Sequence, residues 1–242
     1  MKLVFLGTPA IAVTPLRALH AAGHEIDVVV TGPDVRRGRG TETSPSPVKA
    51  AALELGLRVE HDADAVLSSD ASLGVVVAFG KILRPHLLAH VPMVNLHFSL
   101  LPRWRGAAPV ERAILAGDAE TGVCVMAVEE GLDTGGVYAR ATTPVGTKRL
   151  TELWDELSVT GSQLLVDWLP TAFDGDRLIA PEPQVGEVTY AAKLTADDRR
   201  VDLDGQRRDT RHRRDRARED EDRPVARPGR HRGAPRDRKS VV

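Results

Sequence analysis

The chain has one cysteine in 242 residues, Cys124, and it lies in an apolar run. A disulfide scaffold needs pairs, so none is expected, and a lone thiol in such company reads as part of a core in a reducing cytoplasm. No apolar run approaches the ~20 residues that a membrane-crossing helix requires. The opening residues Met1 to Gly7 are too few and too soon interrupted for a secretory signal. A soluble, cytoplasmic protein without a membrane partner is therefore expected. No His/Cys spacing suggests a metal site. The first turn, Gly7-Thr8-Pro9, lacks the second and third glycines of a dinucleotide fingerprint and reads as a structural turn. The net charge of -1 gives no general attraction to a polyanion. That average hides an uneven distribution.

What is present is apolar and periodic. At 42% hydrophobic residues the chain can bury a sizeable core. Leu3 to Leu6 reads as a buried strand, residues 10 to 22 as a helix with Gly23 as its stop, and residues 25 to 31 as the next strand. A β-α-β opening with continuously apolar strands predicts an α/β fold with a mostly parallel, doubly wound sheet covered on both faces. Further strands are expected at residues 57–60, 74–79, 121–128 and 137–144. Helices are expected at 48–55, 109–115 and 150–169. The polar stretch 61–73 predicts only a small or irregular helix.

Two segments stand apart. Residues 32–47 form a long connection with three arginines (Arg36, Arg37 and Arg39) and three prolines. A βα connection usually takes ~2–6 residues, so this one is either a solvated surface loop or an arm for a phosphate backbone. From Asp197 to Val242 there are 16 basic and 11 acidic residues and no aromatic. Such a segment buries too little apolar surface to offset its ordering entropy. Its Arg/Asp/Gly/Pro mixture is what GC-rich coding DNA gives when read in another frame.

Chemistry is expected in the stretch 93–106: Met93, Val94 and Leu96 make a buried strand that also carries Asn95 and His97. Alternate strand residues share a face, so an amide and an imidazole project together at a strand end, where open α/β sheets bind ligands. Two donors there suit an oxygen that becomes negative during acyl transfer, and an imidazole can also relay a proton near neutral pH. A third group must hold the ring, and Asp133, in the loop Glu130-Gly131-Leu132-Asp133-Thr134-Gly135-Gly136, is the candidate.

Residues 95–109, Asn-Leu-His-Phe-Ser-Leu-Leu-Pro-Arg-Trp-Arg-Gly-Ala-Ala-Pro, resemble the signature of the formyltetrahydrofolate-dependent formyltransferases. Residues 103–109 and 116–122 resemble the branch of that family that formylates methionyl-tRNA. Gly7-Thr8-Pro9, Gly38-Arg39-Gly40 with Pro45-Ser46-Pro47-Val48-Lys49, Gly131-Leu132-Asp133-Thr134-Gly135 and Tyr190-Ala191-Ala192-Lys193-Leu194 are similar to its other motifs. The resemblance implies a Rossmann-like formyltransferase fold with Asn95, His97 and Asp133 as catalytic residues. It implies that Ser99, Leu100, Leu101 and Pro102, with Val77, Ala78, Phe79 and Gly80, bind 10-formyltetrahydrofolate. It implies that Arg36, Arg37 and Arg39 contact the initiator methionyl-tRNA, and that a monomer works without metal.

By the same resemblance, residues 1–180 form the catalytic domain and 181–203 a linker and the start of a second domain; by its composition, 204–242 is expected to be a disordered Arg/Asp-rich tail. The tail stands where the family carries an OB-like barrel. Two other readings stay open: a related enzyme acting on a small amine such as glycinamide ribonucleotide or an amino sugar, and a folate- or RNA-binding remnant.

Overall fold

The computed structural model describes residues 1–36, 43–196 and 198 of the chain. Two units are delimited, Met1–Leu194 and Thr195–Val242, and the fold below is that of the first. Arg37 and Arg39 lie outside the described residues, as does the segment 204–242 expected to be a disordered tail.

Seven strands build one sheet: β1 (Lys2–Gly7), β2 (Glu25–Val30), β3 (Val59–Glu60), β4 (Leu73–Val77), β5 (Met93–His97), β6 (Glu120–Ala127) and β7 (Val137–Pro144). Their spatial order is β7-β6-β5-β4-β1-β2-β3. The five strands from β3 to β5 run parallel; β6 is antiparallel to β5, and β7 to β6. The chain moves outward from β1 through β2 to β3, then returns to the other side of β1 with β4. That reversal opens a crevice at the carboxyl ends of β1 and β4, the customary ligand position in an open α/β sheet.

Helices cover both faces: α1 (Val13–Ala21), α2 (Pro47–Glu54), α3 (Pro85–His90), α4 (Pro109–Ala116) and α5 (Leu150–Trp168). The alternation along β1 shows why. Leu3 and Phe5 join one buried cluster with Leu16, Leu19, Leu153 and Leu157, while Val4 and Leu6 join a second with Val66, Leu87 and Met93. Each such side chain contributes roughly 1.5–3 kcal/mol by leaving water. Helix α5 lies close against the sheet because residue 161 is glycine: a Cβ there would stand 3.0 Å from Val123 Cγ1 and 3.1 Å from Leu96 Cδ2.

The elements follow the sequence expectations with local differences. The stretch expected as one helix from residue 10 begins as a 3₁₀ turn, Ala10–Ala12, before α1. The polar stretch 61–73 holds a six-residue 3₁₀ helix, Ala63–Ser68, whose first turn is capped by Asp62 accepting from the Asp64 N–H at 3.1 Å. In the arginine-bearing connection, Val35–Arg36 pairs antiparallel with Thr43–Ser44, closing the base of the insertion. Within residues 181–203, expected as a linker and the start of a second domain, two backbone pairings join the chain to earlier elements of the first unit. Tyr190–Ala191 pairs in parallel with Arg105–Gly106, and Glu182 exchanges backbone hydrogen bonds with Val137 at 2.7 and 2.9 Å. Their lack of periodicity reflects backbone bonding to a loop and to the first residue of the edge strand β7, not packing on a sheet face.

Candidate active site

Strand β5 delivers Asn95 and His97 to the carboxyl edge of the sheet. It is held on one side by β4, with Val76 opposite Asn95, and on the other by β6, with Met126 opposite Asn95 and Cys124 opposite His97. Asn95 is half-buried and His97 is 5% exposed. Beneath them Leu101, Cys124, Met126 and Val137 form a small apolar floor. Burial pushes the Cys124 thiol up from its ordinary range, which leaves it a core side chain rather than a nucleophile.

The histidine ring is fixed from one side. Its Nε2 lies 2.9 Å from the Trp104 carbonyl, and a carbonyl only accepts, so Nε2 carries the proton. The other nitrogen, Nδ1, faces Asp133, with Oδ2 at 3.7 Å. That distance is beyond a hydrogen bond and at the outer reach of an ion pair once the ring is protonated. Neutral His97 thus presents a basic Nδ1 lone pair beside a carboxylate, and its protonated form has a counter-ion waiting.

Asp133 is itself held. Its Oδ2 accepts the Gly106 N–H at 2.7 Å, and its carbonyl accepts from the Gln184 amide at 2.8 Å. Its φ of 50° is left-handed, a conformation that costs a non-glycine residue about 1–3 kcal/mol and persists only under such constraint. Trp104 has φ 63° and is held in the same way. Its N–H donates to Thr189 Oγ1 at 2.9 Å and its indole Nε1 to Asp118 Oδ2 at 2.7 Å. Arg103 forks onto Asp118 through Nε at 2.8 Å and Nη2 at 2.5 Å, and its guanidinium lies 4.5 Å from the centre of the Trp104 ring. The hydrogen-bonded guanidinium holds the Asp118 carboxyl below its ordinary 3.8, against burial, which pushes it up; the Trp104 indole adds to the lowering.

The remaining expected site residues fall around this centre. Ser99 is buried, and its hydroxyl donates to the Arg103 carbonyl at 2.6 Å, closing the turn. Leu101 and Pro102 are buried and Leu100 half-buried. Val77 ends β4; Ala78 follows with φ 47°, then buried Phe79 and Gly80 with φ 74°. A cleft of about 170 Å³ borders this end, lined by Asp62, Asp64, Phe79, Lys81, Ile82 and Arg84 among others. Arg36, at the base of the insertion, is exposed. Among the described residues no cluster of three or more His, Cys, Asp or Glu could hold a metal, and no helix is long and apolar enough to cross a membrane.

Residues 1–169 match the family described as Formyl transferase. The chain belongs to the formyl transferase family. Among its relatives, a methionyl-tRNA formyltransferase of Roseobacter denitrificans is 49% identical over 217 residues, covering 84% of this chain and 70% of the relative. In fold this formyl transferase is similar to HypX from Aquifex aeolicus in complex with tetrahydrofolic acid. That likeness has a TM-score of 0.63 and 18% identity, over 84% of this chain and 31% of the other. It is also similar to phosphoribosylglycinamide formyltransferase from Bacillus halodurans, with TM-score 0.57 and 19% identity over 71% and 94% of the two chains.

Sequence reasoning singled out Asn95, His97 and Asp133, which the fold gathers at one edge. It missed Asp118, Gln184 and Thr189. Asp118 entered only as part of the motif 116–122, and Gln184 and Thr189 only within the stretch 181–203. Pro181, Pro183 and Gly186 around Gln184 were the available signal, since they suit a strap that must not become helix or strand.

Proposed function

We propose that this formyl transferase moves a formyl group from 10-formyltetrahydrofolate to the α-amino group of methionyl-initiator tRNA. The observation that carries the proposal is the approach of Asp133 to His97 at the end of the strand that also carries Asn95, in a chain 49% identical to a methionyl-tRNA formyltransferase.

The donor supplies an activated one-carbon acyl group; the chain supplies position, charge and a proton path. Asn95 offers amide N–H groups to the carbonyl oxygen as it becomes negative, a contribution of the oxyanion-hole type worth about 10²–10³ in rate. Nδ1 of His97 takes a proton from the attacking amine, while Nε2 stays bonded to the Trp104 carbonyl. Asp133, 3.7 Å from Nδ1, stabilises the imidazolium that results. The proton then returns from Nδ1 to the departing nitrogen.

The turn Ser99–Pro102 and the β4 end Val77–Gly80 suit the donor, because each follows the carboxyl end of a strand, the first with Leu101 buried and the second with Phe79 buried between left-handed Ala78 and Gly80. Arg36, exposed beside the inserted loop, suits the tRNA phosphate backbone, as do Arg37 and Arg39 by their charge.

The test is a formyl-transfer assay with three acceptors: methionyl-initiator tRNA, glycinamide ribonucleotide and an amino sugar. Formylation of the tRNA acceptor is expected. Transfer to a small amine alone would overturn the reading.

A further inference from the structure

We propose that Gln184 is a positioning residue for formyl transfer, setting Asp133 beside His97; this rests on the function proposed above. The side-chain amide of Gln184 has two donor and two acceptor sites, and all four are used. Nε2 donates to the carbonyls of Asp133 at 2.8 Å and Gly135 at 2.7 Å. Oε1 accepts from Arg105 Nε at 3.0 Å and Nη2 at 2.7 Å. One amide therefore joins the loop carrying Asp133 to the loop whose Trp104 carbonyl holds His97.

The chemistry of the pairing selects this residue type. A glutamate would suit Arg105 better, yet it would turn oxygen toward two carbonyl oxygens. A lysine would serve the carbonyls and repel the guanidinium. An amide offers two donors on one side and two acceptor sites on the other, which matches the two carbonyls and the two guanidinium N–H groups.

The frame behind Gln184 is fixed at both ends. Glu182 is bonded to Val137. Thr189 accepts from the Arg105 N–H at 2.9 Å through its carbonyl, and the Ala191 carbonyl accepts from Ala107 at 2.9 Å and Ala108 at 3.2 Å. Residue 106 must be glycine beneath this strap, since with φ 116° a Cβ would stand 2.9 Å from the Ala191 carbonyl oxygen. The strap lies beyond residue 169, where the match to the family ends. The left-handed Asp133 is thus held by a segment outside the matched region.

The deciding variant is Gln184→Glu, which keeps the acceptors for Arg105 and removes both donors. In the full chain, kcat is expected to fall about 10- to 100-fold while KM for both substrates stays within about two-fold, as for loss of a group that orients a reacting side chain. In an Asp133→Ala background the same substitution should cost nothing further, because its effect runs through that carboxylate. A second readout needs no turnover: the Gly106 amide, which donates to Asp133 Oδ2, should exchange its hydrogen at least about ten-fold faster in the variant. If Gln184→Glu does not fold, the near-isosteric Gln184→Met takes its place. An unchanged kcat, an equal loss without Asp133, or unchanged Gly106 exchange would each overturn the proposal. A wild-type chain that transfers no formyl group would instead defeat the function proposed above, and Gly106 exchange would still decide the role of Gln184.

Discussion

The ends of the neighbouring strands β5 and β4 are built in opposite ways. At the end of β5 the chain is tied from every side: Arg103 and Trp104 to Asp118, Trp104 to Thr189 and His97, Arg105 to Gln184, Gly106 to Asp133. At the end of β4 the chain runs out through Ala78 and Gly80, both left-handed, to Ile82, which is 93% exposed. There Lys81 reaches the His61 carbonyl at 3.4 Å and lies 5.5 Å from the Phe79 ring centre. A group that must meet a transition state has to be held before the substrate arrives. A wall that receives a flat ligand gains from adapting. Under the function proposed above, the tied end of β5 is the reacting edge and the open end of β4 receives the donor.

The comparison breaks most visibly at its centre. His97→Ala should lower kcat by about two to four orders of magnitude in a formyl-transfer assay while circular dichroism stays native; equal turnover would remove His97 from the chemistry. Next comes the anchor of the fixed edge. Asp118→Ala strips acceptors from Arg103 and from the Trp104 indole and should reduce stability by about 1–3 kcal/mol in urea unfolding.

The same aspartate predicts a pH dependence. Its carboxyl is held below its ordinary 3.8, so its contribution is present above that value and is lost as pH falls through the lower folded value. Between pH 4 and pH 2 the urea midpoint of the wild type should therefore drop more steeply than that of Asp118→Asn. A smaller effect separates the two left-handed alanine and tryptophan sites. Ala78→Gly removes strain and should raise stability by up to about 1 kcal/mol. Trp104→Gly should lower it, because the indole bond and the guanidinium stack are lost with the strain. The least effect is expected at Ile82→Ser, within about 0.5 kcal/mol of the wild type. A larger loss there would mean the β4 end is not compliant.

Much of this was legible in the sequence where burial sets the pattern. The apolar runs at Leu3–Leu6 and residues 74–77 predict parallel strands because both faces of the sheet are covered. The pair Asn95/His97 announces a site because nothing in a buried strand explains it. Asp133 was found by its glycine-rich loop. The fixing bonds were not legible. The Trp104 carbonyl that holds His97 is backbone and has no residue identity to read. Gln184 is 51 positions from the Asp133 carbonyl it binds, in a segment whose composition resembles a connector. Spacing rules report neighbours on one element, whereas these contacts join three loops.

The chain's one cysteine offers a use of its own. Cys124 faces His97 across the β5/β6 ladder, is fully buried, and is the only thiol in the chain. A thiol reagent added to the folded protein therefore has one atom to find, and it reaches that atom only when the floor under the histidine opens. The labelling rate becomes a clock for that opening. Run with and without each substrate, it would record which ligand stills the sheet beneath the reacting edge.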